Sequence, residues 1–452
     1  MVESATLELQ PVEPPERSRR TRIGLAVALV VAVLAIGTLI AARAINVIGR
    51  PAANQLATIG SAGGLHTIDE RGENPRDFPA AGFNFQFPAW SPDGSRIAAI
   101  GIGPGGTGVF VFDTRSKEPP RPITAFQAED HPPFYLYWTP DSRQVTFLTS
   151  ERQNLALRIA PADGSGEGAV IREGQPMYWA LSESARLVVH SGGIGDEAFL
   201  GELGLDGGTI EPSGLPPGPF RAPAVSAGQR RAYEVTESDG SERIVIDARN
   251  DSIRKEIAVA GLAVFGFSPA GSELAYVANP TPVAAGGQIP FGPLRVIDPV
   301  SGHDRLLLDG DVVAFFWAPD GRSIAAFRIS TSEEEQNSAR TGGATLAVAR
   351  PRQPATRESA AAPGVILRLV FIDVPSGQVR HQRSARLSEL FVNQVLPYFD
   401  QYALSHRFWS PDSEAIVLPL VDDRPEPQIT VIPADGSEPR ALGPGTIAFW
   451  SP

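Results

Sequence analysis

The feature that most constrains the fold of this chain is a short motif that recurs from residue 90 to the last residue. Each copy places an aromatic residue, usually Trp, directly before Ser-Pro-Asp-Gly or a variant of it. The clear copies begin at Trp90, Trp138, Phe267, Trp317, Trp409 and Trp450, and the degenerate ones at Trp179 and Val225. Successive copies are 41–50 residues apart, except for one interval of 92 residues. This spacing is typical of the four-stranded blades of a β-propeller.

The motif predicts a tight turn between two strands. In residues 91–94 (Ser-Pro-Asp-Gly), the Ser, the Pro and the Gly occupy the positions that a type I turn favours for them. An apolar strand that ends in the aromatic residue precedes each turn, and a second β-rich strand follows it. We therefore assign the recurrent aspartates to the turns and not to catalysis. They are Asp93, Asp141, Asp320 and Asp412.

These residues resemble the TolB-like, WD-like propeller repeats that also form the propellers of prolyl oligopeptidase and dipeptidyl peptidase relatives. The resemblance covers roughly residues 54–452 and implies an all-β propeller without a particular function. The family members that are peptidases carry a separate α/β hydrolase domain. We expect none here, because the last copy of the motif occupies residues 450–452.

The two ends of the repeat region predict how the ring closes. Residues 446–450 form an innermost strand that lacks a second strand, and residues 55–59 supply that second strand. We expect the C-terminal strand to complete the sheet that the N-terminal strands begin, which leaves no open sheet edge. The motif count then predicts eight blades, or seven if the degenerate copy at Val225 forms no blade.

The interval of 92 residues between Trp317 and Trp409 predicts one blade with two insertions rather than a ninth blade. Residues 331–363 are polar and rich in Ala, Arg and Glu, which is typical of a long loop. Residues 387–407 carry apolar residues at helical spacing up to the helix breaker Pro397. The order of strands in a blade predicts that both insertions open on the same face of the ring.

The segment before the repeats predicts a membrane anchor. Residues 23–42 contain no charge and have about the length that spans a bilayer as a helix. Four arginines lie just before this segment, so the positive-inside rule places the tail 1–22 in the cytoplasm. We therefore expect a single-pass protein of the cell membrane, with a linker at 43–53 and an extracytoplasmic propeller at 54–452. A cleaved signal peptide is the alternative, because residues 42–44 (Ala-Arg-Ala) have the form of a cleavage site.

Composition and motif searches disfavour several classes of function. The formal net charge of −12 argues against a nucleic-acid partner, whose phosphates attract basic surfaces. The absence of Cys excludes disulfide bonds, thiolate metal sites and a Cys nucleophile. The six histidines show no metal-binding spacing, and the sequence contains no GxSxG elbow and no P-loop. We therefore expect no metal, no cofactor and no enzymatic activity.

One cluster in the second insertion has the composition of a binding patch, with aromatic residues beside Arg, Asp and His. The cluster comprises Tyr398, Phe399, Asp400, Gln401, Tyr402, His406 and Arg407. The alternative interpretation is that the aromatic residues pack the insertion onto the ring while the polar groups cap it.

These observations favour a membrane-anchored propeller that binds or scaffolds an envelope or membrane protein or peptide through the face around residues 387–407. The alternative is a propeller that binds or converts a small ligand in its axial channel. The mostly apolar or amide-bearing first strands of the blades disfavour that alternative. A sensor that signals through the helix to the cytoplasmic tail is a third hypothesis.

Overall fold

The computed structural model describes residues 54–79, 82–126, 132–151, 154–166, 168–192, 198–227, 229–248, 251–280, 289–329 and 365–452. The chain divides into two units, Met1–Pro51 and Ala52–Pro452, and every described residue belongs to the second unit. The predicted membrane segment 23–42 and the predicted insertion 331–363 lie outside the described residues. Among the helices of the described ranges, none has the length and apolar character needed to cross a membrane.

The described chain is an all-β propeller built from thirty antiparallel strands. The first nineteen strands are β1 (Gln55–Ile59), β2 (Leu65–Asp69), β3 (Arg76–Asp77), β4 (Asn84–Trp90), β5 (Arg96–Gly103), β6 (Gly106–Asp113), β7 (Arg121–Phe126), β8 (Pro133–Trp138), β9 (Gln144–Glu151), β10 (Asn154–Pro161), β11 (Ala169–Gly174), β12 (Met177–Leu181), β13 (Arg186–Ser191), β14 (Phe199–Gly204), β15 (Ile210–Pro212), β16 (Ala224–Val225), β17 (Arg230–Thr236), β18 (Glu242–Ala248) and β19 (Asp251–Val259). The others are β20 (Ala263–Phe267), β21 (Leu274–Ala278), β22 (Gly292–Ile297), β23 (Asp304–Trp317), β24 (Ser323–Arg328), β25 (Val365–Asp373), β26 (Gln378–Leu387), β27 (Ala415–Leu420), β28 (Gln428–Pro433), β29 (Arg440–Pro444) and β30 (Ile447–Trp450).

These strands form five four-stranded sheets and one ten-stranded sheet. The four-stranded sheets have the orders β3-β2-β1-β30, β4-β5-β6-β7, β11-β10-β9-β8, β12-β13-β14-β15 and β16-β17-β18-β19. The ten-stranded sheet runs from β20 to β29 because the long strand β23 pairs with β22 on one side and with β24 on the other. Gly310 lies within β23 at φ +96°, a backbone conformation that glycine adopts without strain and that suits a bend between the two pairings.

The predicted closure of the ring is confirmed by the pairing of its two ends. Strand β30 pairs with β1 in an antiparallel register that runs from Leu56↔Trp450 to Ile59↔Ile447. The last strand of the chain thereby completes the sheet that the first described strands begin. The degenerate motif at Val225 also lies in a four-stranded sheet, where it contributes the short strand β16.

Antiparallel pairing places successive turns of a sheet at opposite ends, which gives the propeller two different faces. The face that carries the motif turns, between the first and second strands, is called the turn face. The opposite face carries the loops between second and third strands and the passages from one sheet to the next, and it is called the connection face. Asn54, the first described residue, lies at the turn face, where its side-chain amide donates to Asp412 at 3.3 Å.

The motif forms the turn that its residues predict. The backbone N–H of Gly94 donates to the carbonyl of Ser91 at 2.8 Å. The Asp93 carboxylate accepts the hydroxyl of Ser91 at 2.6 Å and the backbone N–H of Ser95 at 3.0 Å. The same bond from the backbone N–H two residues on recurs at Asp141, Asp320 and Asp412. The aspartates of the motif are turn residues, as predicted.

Where the motif carries Trp, its indole ties that repeat to the preceding repeat. The indole N–H of Trp138 donates to the carbonyl of Ala89 at 2.9 Å, and that of Trp409 donates to the carbonyl of Phe316 at 3.0 Å. Equivalent bonds join Trp90 to Phe449, Trp179 to Thr146 and Trp317 to Gly266. A buried indole N–H needs an acceptor, and the preceding repeat supplies it. Trp450 differs, because its indole nitrogen has no partner in the described part of the chain.

Candidate functional site

Residues 387–407 form a compact helical segment at the centre of the candidate site. The segment contains a π-helical turn at Phe391–Val395, a 3-10 turn at Leu396–Tyr398 and the α-helix α1 at Phe399–Ser405. The 3-10 turn has Pro at its start, where the missing backbone N–H removes no helical hydrogen bond. The predicted helical spacing and the predicted breaker at Pro397 both fit this arrangement.

Helix α1 lies in the axial channel of the propeller. It packs against the inner strands β8, β12, β20 and β23. Tyr402 of α1 also contacts Phe87 of β4, and His406 contacts Phe449 of β30, with tilted rings whose centroids are 5.4 and 4.4 Å apart. The sequence analysis predicted that this insertion lies on a face of the ring. The structure corrects this prediction, because α1 lies inside the ring against the inner strands. The aromatic side chains of α1 are buried because the inner strands surround the helix.

Gln401 fixes α1 to strand β12 by using both ends of its amide. Its nitrogen donates to the carbonyl of Trp179 at 2.7 Å, and its oxygen accepts the Trp179 backbone N–H at 3.2 Å. Tyr135 adds a bond from its hydroxyl to the backbone carbonyl of Gln401 at 2.6 Å. Burial raises the pKa of Tyr135 well above its usual range, against the lowering effect of its hydrogen bonds with Ser405 and Gln401. The phenol is therefore protonated and acts as a structural donor.

Two strained residues direct aromatic side chains onto α1. Phe87 and Tyr135 have φ angles of 48° and 70°, in the left-handed region that aromatic residues rarely adopt. Each lies at an irregularity in the pairing of its inner strand, β4 or β8. Their rings contact Tyr402 at centroid distances of 5.4 Å. Both strained residues therefore serve the same purpose, which is to cover the helix.

A buried ion pair holds the start of α1 to the connection between the fourth and fifth sheets. Arg221 donates to one carboxylate oxygen of Asp400 at 2.9 Å and to the carbonyl of Pro397 at 3.0 Å. The other oxygen of Asp400 accepts the backbone N–H of Ala222 at 3.1 Å. Both side chains are almost fully buried. Both carboxylate oxygens of Asp400 are therefore engaged in holding the start of α1.

His406 is held as a neutral ring at the end of α1. Its Nδ1 lies 2.6 Å from the hydroxyl of Ser405, and its Nε2 lies 3.4 Å from the carbonyl of Phe87. Burial lowers the pKa of His406 to about 3, against the raising effect of the backbone bond to Phe87. Because both nitrogens are engaged, this histidine acts in packing and not as a proton carrier.

The structure does not bring the seven predicted site residues together on one surface. Phe399, Asp400, Gln401, Tyr402 and His406 are buried, and the packing alternative accounts for them. Tyr398 and Arg407 are exposed, but they line different cavities on opposite sides of α1. Only these two side chains of the predicted patch are available to a ligand or partner.

Helix α1 divides the axial channel into two cavities. The connection-side cavity, of about 380 Å³, is lined by aromatic and amide side chains that include Phe134, Tyr398 and Gln394. The turn-side cavity, of about 460 Å³, is lined by aromatic side chains of the motif strands and by Arg407. The two cavities therefore differ in charge as well as in position.

Sequence reasoning missed the buried ionisable groups near α1. Glu234 is buried in β17 and accepts the backbone N–H of Ala263 at 2.8 Å, while its second oxygen has no partner among the described residues. Burial raises the pKa of Glu234 well above its usual range. His190 is buried next to the carbonyl of Arg221, and burial lowers its pKa to about 4. Arg221 lies in an otherwise apolar stretch, but nothing in the local sequence showed that Arg221, Glu234 and His190 are buried.

Exposed apolar side chains are concentrated on the connection face. Thirteen large apolar residues are exposed in the described part of the chain. Eight of them belong to loops or strand ends at the connection face, namely Ile102, Phe134, Phe220, Ile289, Phe291, Ile329, Val365 and Tyr398. These eight include all four exposed aromatic residues among the thirteen. Within the described ranges, no group of three or more His, Asp or Glu side chains has a metal-binding arrangement.

Comparison with known proteins gives structural matches only. No protein-family model matches the sequence, and no curated protein matches it. TolB from Acinetobacter baumannii is similar at 17% identity with a TM-score of 0.35, over 58% of this chain and 66% of that chain. An oligogalacturonate lyase in complex with manganese is similar at 10% identity with a TM-score of 0.43, over 87% of this chain and 86% of that chain.

A prolyl endopeptidase structure is similar at 11% identity with a TM-score of 0.41, over 59% of this chain and 44% of that chain. TolB and prolyl endopeptidase structures are thus among the matches, in agreement with the resemblance that the repeat motif carries. At these identities and TM-scores the likeness assigns no activity. The matches include enzymes as well as TolB proteins.

Proposed function

We propose that this protein is a single-pass membrane protein whose eight-bladed propeller lies outside the cytoplasm and binds an envelope or membrane protein or peptide. The uncharged segment 23–42, with arginines before it, supports the anchor and its orientation. The eight copies of the turn motif support the blade number. The partner binds to the connection face, and the propeller serves as a binding module without enzymatic activity.

The observation that carries this proposal is the unequal distribution of exposed apolar side chains between the two faces. Aromatic residues are enriched at protein interfaces because they bury a large area at a small cost in side-chain entropy. Phe134, Phe220, Phe291 and Tyr398 expose their rings on the connection face, each by about 40%. Among the described residues, the turn face exposes no large aromatic side chain and presents instead the hydrogen-bonded turns of the repeat.

The position of α1 also favours a surface partner over a ligand that threads the ring. The helix occupies the axial channel and contacts inner strands on several sides. Phe134 and Tyr398 line the connection-side cavity, and Gln401 and Tyr402 of α1 line it as well. A partner side chain that enters this cavity meets aromatic walls and the amides of Gln86 and Gln394. Such a pocket suits an apolar anchor residue of a bound segment.

The test is capture of a partner by the full-length protein from native membranes, with two triple variants compared. The first variant carries Phe134→Ser, Phe291→Ser and Tyr398→Ser on the connection face. The matched control carries Val300→Ser, Leu306→Ser and Val379→Ser, which are equally exposed apolar residues at the other end of the sheets.

We expect the connection-face variant to lose at least about tenfold of the captured partner, since each interface aromatic contributes about 1–2 kcal/mol or more. The control should capture the partner as the wild type does, and both variants should unfold at the wild-type temperature. Equal capture by both variants, or a loss confined to the control, would overturn the proposed surface.

A further inference from the structure

The turn-side cavity is a second site, separate from the connection face. Its volume of about 460 Å³ lies within the range of small-molecule pockets, which is roughly 300–1,000 Å³. Its walls are largely aromatic and come from the ends of inner strands and from α1. They include Phe265, Phe267, Phe315, Trp317, Phe399 and Phe408.

Nearly all polar side chains that line this cavity are already engaged. Both oxygens of Asp400 accept hydrogen bonds from Arg221 and Ala222. Both nitrogens of His406 have partners, and the indoles of Trp317 and Trp409 donate to the carbonyls of the preceding motif strands. A ligand in the cavity therefore finds aromatic surface but few free polar groups on most sides.

Arg407 is the exception among these polar groups. Its guanidinium reaches solvent in the mouth of the cavity, and no described residue forms an ion pair or hydrogen bond with it. Surrounding protein atoms remove part of its hydration, which lowers the pKa of Arg407 against the raising effect of Tyr137. The neutral His406 and the paired Asp400 leave Arg407 as the uncompensated charge of the cavity. An anion bound at this position supplies Arg407 with the ion-pair partner that the described residues do not provide.

We propose that the turn-side cavity binds a monoanionic carboxylate that carries an aromatic or aliphatic body. The planar fork of Arg407 matches the two oxygens of a carboxylate, and the aromatic walls cover the apolar body. A single uncompensated guanidinium neutralises one negative charge, which favours a monoanion over a dianionic phosphate. This site goes beyond the proposed protein partner and does not depend on it.

The test is isothermal titration calorimetry of the full-length protein with 2-naphthoate and, separately, with its neutral analogue 2-naphthamide. Both compounds have the same apolar body, so their difference isolates the contribution of the carboxylate. We expect 2-naphthoate to bind at least about tenfold more tightly, as a charge-assisted hydrogen-bond pair allows. Equal affinities, or no saturable binding of either compound, would overturn the proposal.

Three variants test whether Arg407 binds the carboxylate in the turn-side cavity. Arg407→Gln should lose the preference for 2-naphthoate while it still binds 2-naphthamide, and Arg407→Lys should restore most of the preference. Arg143→Gln, which removes an exposed arginine of a motif turn outside the cavity, should leave both affinities unchanged. Thermal unfolding at the wild-type temperature shows that Arg407→Gln is folded. An unchanged preference in folded Arg407→Gln would contradict the assignment.

Discussion

The two faces of this propeller are held together by interactions that differ in whether they recur. At the turn face, indole and hydroxyl bonds recur from repeat to repeat, as between Trp409 and Phe316 or Ser413 and Asp320. Arginines add further bonds there, such as that of Arg231 to Glu202. Near the connection face, single buried ionisable groups do the same work, namely the ion pair of Arg221 with Asp400 and the carboxyl group of Glu234. The bonds of the turn face are therefore a property of the repeat, whereas those near the connection face are made by side chains that occur once.

The largest effect is expected when the ion pair between α1 and the ring is removed. Asp400→Ala removes the carboxylate from the buried Arg221 guanidinium, and we expect a loss of about 3–5 kcal/mol in the free energy of unfolding. Urea unfolding of the full-length protein measures this loss. The control is Asp422→Ala, which removes an exposed partner of Arg424 and should cost at most about 1 kcal/mol. A similar, small cost for both variants would show that the buried pair does not hold α1.

A smaller effect sharpens the account of the turn face. Trp409→Phe removes an indole that donates to the carbonyl of Phe316, whereas Trp450→Phe removes an equally buried indole whose nitrogen has no partner among the described residues. We expect Trp409→Phe to be about 1–2 kcal/mol more destabilising in urea unfolding, because it leaves a buried carbonyl without its donor. Equal losses would mean that the indoles contribute through packing alone.

The third and smallest effect concerns pH and the buried carboxyl group of Glu234. Its raised pKa means that folded protein keeps a proton that the unfolded chain releases above pH 4.5. The wild type therefore loses stability as the pH rises from 4.5 through the raised pKa. Glu234→Gln removes this loss, so we expect a higher unfolding temperature than wild type at pH 7–8 and no advantage near pH 4.

The matched control for this experiment is Glu438→Gln, because Glu438 is exposed. Its unfolding temperature should follow that of the wild type across the whole pH range. A pH profile of Glu234→Gln that runs parallel to the wild type would mean that the carboxyl group of Glu234 titrates alike in the folded and unfolded chain.

The sequence predicted the repeated part of this fold well, for a physical reason. A turn such as residues 91–94 depends on local residue types, so its Ser, Pro, Asp and Gly report it directly. Ring closure was predictable because the C-terminal strand has no partner strands after it, and the N-terminal strands lack an innermost strand. The pairing of β30 with β1 joins the two. Both inferences use local patterns that occur many times or at defined positions.

The site was predicted only in part, because its contacts join distant residues that occur once. Composition marked 398–407 as unusual, and the helical spacing was correct. Nothing local showed that Gln401 bonds to Trp179 or that Asp400 pairs with Arg221. The left-handed backbone at Phe87 also has no clear sequence signal beyond the adjacent Pro88. Long-range packing therefore decided which residues of the patch are exposed.

The central claim, that the connection face is the binding face, is tested most directly by site-specific photo-crosslinking in native membranes. A benzophenone side chain replaces Phe134 or Phe291 at the connection face, and Val300 or Val379 at the other end of the sheets. The account predicts one discrete adduct, of the same mass, from both connection-face positions and none from the other two. An adduct from Val300 or Val379 without one from Phe134 and Phe291 would contradict it.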